Sequence, residues 1–131
     1  MAAVCLDTDI VVDIIHGKGP LSDFLSVTSK GACTTSITML ELYYGAYKSD
    51  RKSDIAMVDA LNMDLAIVDI EHHDMKLAGR IMAELEKRGK KLEFRDVLIG
   101  TICINRGFSI LTRNKKHFER LREYGLVIEA P

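Results

Sequence analysis

Three acids and an amide stand where a short chain can carry out metal-assisted chemistry. Asp7 closes the first apolar run, Ala2-Ala3-Val4-Cys5-Leu6. That run is unbroken by charge and too short for a helix, so it reads as a buried strand. A helical pattern of Ile10, Val11, Ile14 and Ile15 follows at once. Asp7 therefore sits where a strand gives way to a helix, the edge at which open α/β sheets bind ligands. Glu41 shares a helical stripe with Ile37, Leu40 and Tyr44. There it is either desolvated and in need of a cation, or at the edge of the stripe and in water. Asp96 opens the apolar stretch 97–104, where an acid also serves as a helix cap. Asn114 follows another apolar run, in Thr112-Arg113-Asn114, where an Asn by itself is a turn residue.

Each position has a structural explanation when taken singly. Taken together, Asp7, Glu41, Asp96 and Asn114 can meet at the carboxyl edge of one sheet. Clustered carboxylates repel, and they call for a hard dication such as Mg2+ or Mn2+ with oxygen ligands. Such an ion activates water for attack on a phosphodiester and offsets charge on the phosphate. One ion is expected to bind firmly to the three carboxylates. A second is expected to bind weakly, or only with RNA present, because Asn114 brings no charge.

The elements that must position these groups alternate along the chain. A helix is expected over 9–16 with Asp9 as its N-cap, and a short one carries Leu21, Phe24, Leu25 and Thr28. Ala32-Cys33-Thr34-Thr35 is a strand leading into the helix of Glu41. Residues 54–62 are helical, 65–68 a strand, and 74–88 the longest helix, with Met75, Ala78, Ile81, Met82 and Leu85 as its apolar face. The stretch from Asp96 to Gly107 is a helix buried on every side, 109–112 a strand, 116–123 a short helix and 126–128 a last strand. Strands separated by helices imply an α/β fold, a parallel sheet of about five strands with helices on both faces.

A chain of 131 residues fits one domain, here 1–131, and 47% apolar with 28% charged residues describes a globular protein. The net charge of −1 means that a nucleic-acid partner would need a local basic patch or a metal. Cys5, Cys33 and Cys103 are far apart and odd in number, as expected of buried thiols in a reducing compartment. With no basic leader and no apolar run of membrane-spanning length, the expectation is a cytoplasmic protein without a membrane partner. His16, His117 and the pair His72-His73 read as solvated.

Four motifs together resemble a known family. They are Leu6-Asp7-Thr8-Asp9-Ile10, the run from Thr35 through Glu41 to Gly45, Arg95-Asp96-Val97-Leu98-Ile99-Gly100, and Leu111-Thr112-Arg113-Asn114 with Phe118 downstream. In this order and spacing they resemble a PIN domain, and within it the short VapC toxins of toxin–antitoxin pairs. The resemblance covers the whole chain. It implies a Mg2+- or Mn2+-dependent ribonuclease, commonly a homodimer, held inactive by a VapB-type antitoxin. The family's acids fall on Asp7, Glu41 and Asp96, and its fourth position on Asn114. Arg95, Arg113, Lys115 and Lys116 are read as RNA-phosphate contacts, with Lys87, Arg88, Lys90 and Lys91 as a further basic run. Tyr43, Tyr44 and Tyr47, with residues 55–61, are the expected subunit contact. Two rivals share part of the pattern. Asp7-x-Asp9 also opens haloacid-dehalogenase phosphatases, although a Gly-containing turn and a late acid pair are missing. A phospho-receiver would use Asp7, Asp9, Asp69 and Lys115, although the Pro expected after that lysine is absent.

Overall fold

The computed structural model describes residues 3–18 and 31–131. The short helix expected around Leu21–Thr28 lies outside the described residues. Strand β1 (Val4–Leu6) leads into α1 (Thr8–Ile15), and β2 (Ala32–Thr35) into α2 (Ser36–Ser49) and α3 (Lys52–Ala60). After a 3-10 turn, Leu61–Met63, come β3 (Ala66–Val68), α4 (His72–Lys87), α5 (Phe94–Arg106) and β4 (Ser109–Leu111). Two more 3-10 turns, Lys115–His117 and Glu119–Tyr124, precede β5 (Val127–Glu129). The single short helix expected over 116–123 is thus a pair of tighter turns. The five strands are all parallel, in the order β3-β2-β1-β4-β5. Chain order reverses at the central strand β1, so the ends of β1 and β4 flank the crevice where such sheets place their sites.

Alternation along the strands divides the core in two. Cys5 and Ile110 face a layer of α4, α5 and the C-terminal turns, with Ile81, Leu85, Ile99 and Phe118. Leu6 and Leu111 face the other layer, α1, α2 and α3, with Ile10, Met39, Leu42 and Val58. This period of two is what a sheet covered on both faces requires. All three cysteines are buried and unpaired, as their spacing led us to expect. Helix α5 packs so closely on the C-terminal turns that a Cβ on Gly100 would fall 2.3 Å from Leu121 Cδ1. Its end is fixed by Gly107 in the left-handed region. Among the described residues no helix is long and apolar enough to cross a membrane.

Several local expectations change. Asp7, not Asp9, caps α1, its carboxylate accepting from the Thr8 amide. Asp96 does not cap α5 either; Glu93 holds that position and Asp96 lies in the first turn. On α4, Met75 is exposed, while Ala78, Ile81 and Leu85 face the core.

One buried acid is structural. Asp74 is fully enclosed and accepts from Asn105 Nδ2 at 2.8 Å and from Arg106 Nη1 and Nη2 at 2.8 and 2.9 Å. It also closes a capping box at the start of α4 through the Glu71 amide. Burial alone would raise its pKa, but the bonds from Arg106, Asn105 and Glu71 outweigh burial and hold it at about 2. An acid depressed on folding adds stability above its unfolded value and loses it as pH falls through its folded value. Asp74→Asn should therefore cost about 3 kcal/mol at pH 7, because it leaves the partly buried Arg106 with only Glu71, at 3.8 Å, as an ion-pair partner. Urea denaturation should show that gap narrowing as pH falls from about 4 towards 2.

Candidate active site

The three predicted acids do meet, and a guanidinium lies between them. Arg95 Nη2 donates to Asp7 Oδ1 at 2.9 Å, Nη1 to Asp96 Oδ1 at 2.5 Å, and Nε and Nη2 to Glu41 Oε2 and Oε1 at 2.8 Å each. The acids arrive from the end of β1, the second turn of α2 and the first turn of α5. Each is positioned by its surroundings. Asp7 Oδ2 accepts from the Thr112 hydroxyl at 2.8 Å, and Glu41 Oε1 from the Thr8 hydroxyl at 2.6 Å. Asp7 and Asp96 are almost wholly buried.

Glu41 reaches this cluster for a different reason from the one its stripe suggested. The buried face of α2 is Thr38, Met39, Leu42 and Ala46, whereas Leu40 and Tyr44 are each 67% exposed. Glu41 sits on the boundary between those faces, with its side chain 33% exposed. Of the two readings open from the sequence, the edge position is correct, and the carboxylate is paired as well.

Asn114 is brought near but not into the cluster. It is exposed, its amide N donates to Thr112 Oγ1 at 3.0 Å, and its Nδ2 points to Asp9 Oδ2 at 3.4 Å. Asp9 is a fourth acid at this edge that its reading as a cap concealed. Burial raises its pKa, and repulsion from Asp7 adds to this against the bonds it accepts from the Arg113 and Ile10 amides.

The predicted RNA contacts separate. Arg95 is turned into the acids rather than towards solvent. Arg113 is held by Asp13 at 2.6 Å and by Asp9 at 3.7 Å. Lys115 and Lys116 remain exposed. Arg88, in the other basic run, is committed to Glu123. Beside Asp96 opens a cleft of about 530 Å³ whose lining includes Lys91, Phe94, Lys116, His117 and Arg120. On the Glu41 side lies a smaller groove of about 260 Å³, largely apolar, with Val12, Ile15, Leu42, Ala46 and Val58 in its wall. His117, expected to be solvated, has Nδ1 3.8 Å from Asp96 Oδ2.

The donor chemistry suits a hard dication: three carboxylates surround one cationic group. Their present spacing is that of a guanidinium. Among the described residues no three acids, histidines or cysteines close on one point as metal ligands.

The PIN domain family profile matches residues 4–124. The chain belongs to the PIN domain family. Ribonuclease VapC2 of Haemophilus influenzae is 35% identical over 125 residues, covering 92% of this chain and 93% of that one. The tRNA(fMet)-specific endonuclease VapC of Shigella flexneri is 28% identical over 123 residues, with the same coverage of 92% and 93%. The crystal structure of DNA-bound VapBC from Salmonella typhimurium superposes with a TM-score of 0.89 at 29% identity, covering 99% of this chain and 98% of that one. This PIN domain is neither rival fold. Asp69, the acceptor a receiver would need, is exposed after the edge strand β3, with β2 between it and β1.

Burial first, then repulsion from Asp7, raises the Asp96 pKa against the pull of Arg95 and His117. An acid raised on folding stabilises while protonated, below its unfolded value, and loses this as pH rises through its folded value. At pH 7 the ionised Asp96 is therefore a net cost. Metal-free Asp96→Asn should melt at the same or a higher temperature than the wild type at pH 7, the difference shrinking below about pH 4. A fall of more than about 5 °C in thermal denaturation would instead assign Asp96 a structural role.

Proposed function

We propose that this PIN domain is a Mg2+- or Mn2+-dependent ribonuclease, the toxin of a VapBC-type pair, acting in the cytoplasm. The observation that carries this reading is the meeting of Asp7, Glu41 and Asp96 from three separate elements, beside a cleft to which Lys91, Lys116 and Arg120 contribute. The names of its relatives, ribonuclease and endonuclease among them, support the same chemistry.

Asp7, Glu41 and Asp96 would hold the metal, with Asn114 at the margin as a neutral oxygen or a water-orienting amide. When bound, the ion acidifies water and offsets phosphate charge. The chain supplies the rest. Thr112 fixes the rotamer of Asp7 and Thr8 that of Glu41, so the carboxylates are aimed before substrate arrives. The cleft of Lys91, Lys116, His117 and Arg120 attracts the phosphate backbone despite the chain's slight negative charge. Phe94, exposed at the same cleft, offers a face on which a base can stack. The apolar groove ending at Glu41 is the seat we assign to a VapB-type antitoxin, whose occupant would lie against the acids.

The subunit contact needs revision from its sequence form. Val58 and Leu61 belong to the core, and Tyr43 is tied to Asp59. What α2 leaves exposed is Leu40, Tyr44 and Tyr47 on one stripe, with Met57 of α3 also exposed. We assign the homodimer contact to this stripe. Tyr44→Glu should give a monomer by sedimentation velocity at micromolar concentrations where the wild type is a dimer.

Purified protein incubated with total RNA should generate new ends with Mn2+ or Mg2+ and none with excess EDTA. Asp7→Asn should lower the cleavage rate on the order of a hundredfold or more. Lys116→Ala should weaken binding of all RNA sequences alike and reduce the salt slope by about 0.7. Cleavage that survives thorough chelation would overturn the reading.

A further inference from the structure

Arg95 has a position that phosphate binding does not explain. Three of its nitrogens are spent on three carboxylates, two of them from elements other than its own, and Nη2 also reaches the Thr8 hydroxyl at 3.2 Å. We propose that Arg95 is a tethered cation that holds the acid site together in its metal-free form and must swing out when a dication binds. This rests on the metal-dependent reading above.

Three observations carry it. The first is charge. Asp7, Glu41 and Asp96 together bring −3, with Asp9 and Asp13 close by. Arg113 is already engaged by those two outer acids, and His117 stands 3.8 Å off. Arg95 is the cation among the described residues that touches all three inner acids. The second is size. Oxygen ligands stand about 2.0–2.1 Å from Mg2+, whereas here the carboxylates are spread along the edge of a planar fork at N···O distances of 2.5–2.9 Å. They cannot close on a small ion while the fork stays between them, and a guanidinium and a dication repel each other in one pocket. The third is an exit. The Arg95 side chain is 28% exposed, so it can leave by rotating its own torsions while α5 stays packed.

The consequence is competition. A dication binds only the fraction of molecules with Arg95 withdrawn, so its apparent affinity falls by that fraction. Lys cannot replace the fork, since a point charge reaches one carboxylate well but not three.

The test uses the full chain without RNA. The Arg95 Nε–H resonance, identified by its loss in Arg95→Lys, should be protected from exchange in EDTA because it donates to Glu41. Saturating Mg2+ should shift it and remove that protection. In calorimetry, Arg95→Lys and Arg95→Ala should each bind Mn2+ more tightly than the wild type, the Ala variant by on the order of tenfold or more. In EDTA the Ala variant should also melt lower, and Mn2+ should restore it. An Arg95 Nε–H signal that stays protected at saturating Mg2+, or equal Mn2+ affinities in all three proteins, would overturn the tethered-cation role while leaving the metal site intact. No dication binding in any of them would overturn the metal-dependent reading and this inference together. The resonance arm is measured on the wild type, so it stands even if the Ala variant does not fold.

Discussion

Bringing Asp7, Glu41 and Asp96 to one end of the sheet creates a repulsion that the fold must answer before it can close. Two of these carboxylates are almost wholly buried, and isolated buried charge is costly. The answer is a set of donors fixed by backbone that is itself well packed. Thr112 extends from β4, Thr8 opens α1, and Arg95 lies in the first turn of α5, a helix with Val97, Ile99, Ile102 and Cys103 buried along it. At Asp96 the balance is incomplete, since burial pushes its pKa up against the pull of Arg95 and His117. A site left partly frustrated is one that gains from a dication, so the same electrostatics that strain the fold prepare it to bind the ion.

The two sides of that site differ in chemistry. Towards Asp96 the wall carries Lys91, Lys116 and Arg120 with Glu93 among them, and the exposed Phe94; towards Glu41 it is largely apolar. A polyanion is attracted to the first and gains nothing from the second. On this asymmetry rests our proposed assignment of RNA to the first side and a protein partner to the second, in a domain whose net charge is only −1. Asp74, by contrast, shows what a carboxylate looks like when its role is structural: it is enclosed, satisfied by Asn105 and Arg106, and depressed in pKa.

The sheet was legible because alternation and strand length are local properties. Leu6 and Cys5 face opposite layers as their order requires, and Asp7 follows the strand directly. The meeting of the three acids was legible because each stood at the end of a strand or in an early turn of a helix. What was not legible depended on long-range packing. The stripe of Glu41 pointed to burial, yet α2 turns Leu40 and Tyr44 outward because Met39, Leu42 and Ala46 fill the layer below. Asp7 and Asp9 are both placed to cap α1, and the Thr112 and Arg95 donors that fix Asp7 come from residues about a hundred positions away in sequence. Arg95 read as a phosphate contact because its neighbours in sequence gave no sign that two other acids would surround it.

The most direct measurement of how these acids and Arg95 share the site is a crystal structure of the RNA-free protein soaked with Mn2+, with the ion located by its anomalous scattering. One strong peak is expected, ligated by Asp7, Glu41 and Asp96, with the Arg95 guanidinium turned out of the cluster. A peak at any other site, or one among the acids with Arg95 still bridging all three, would contradict it.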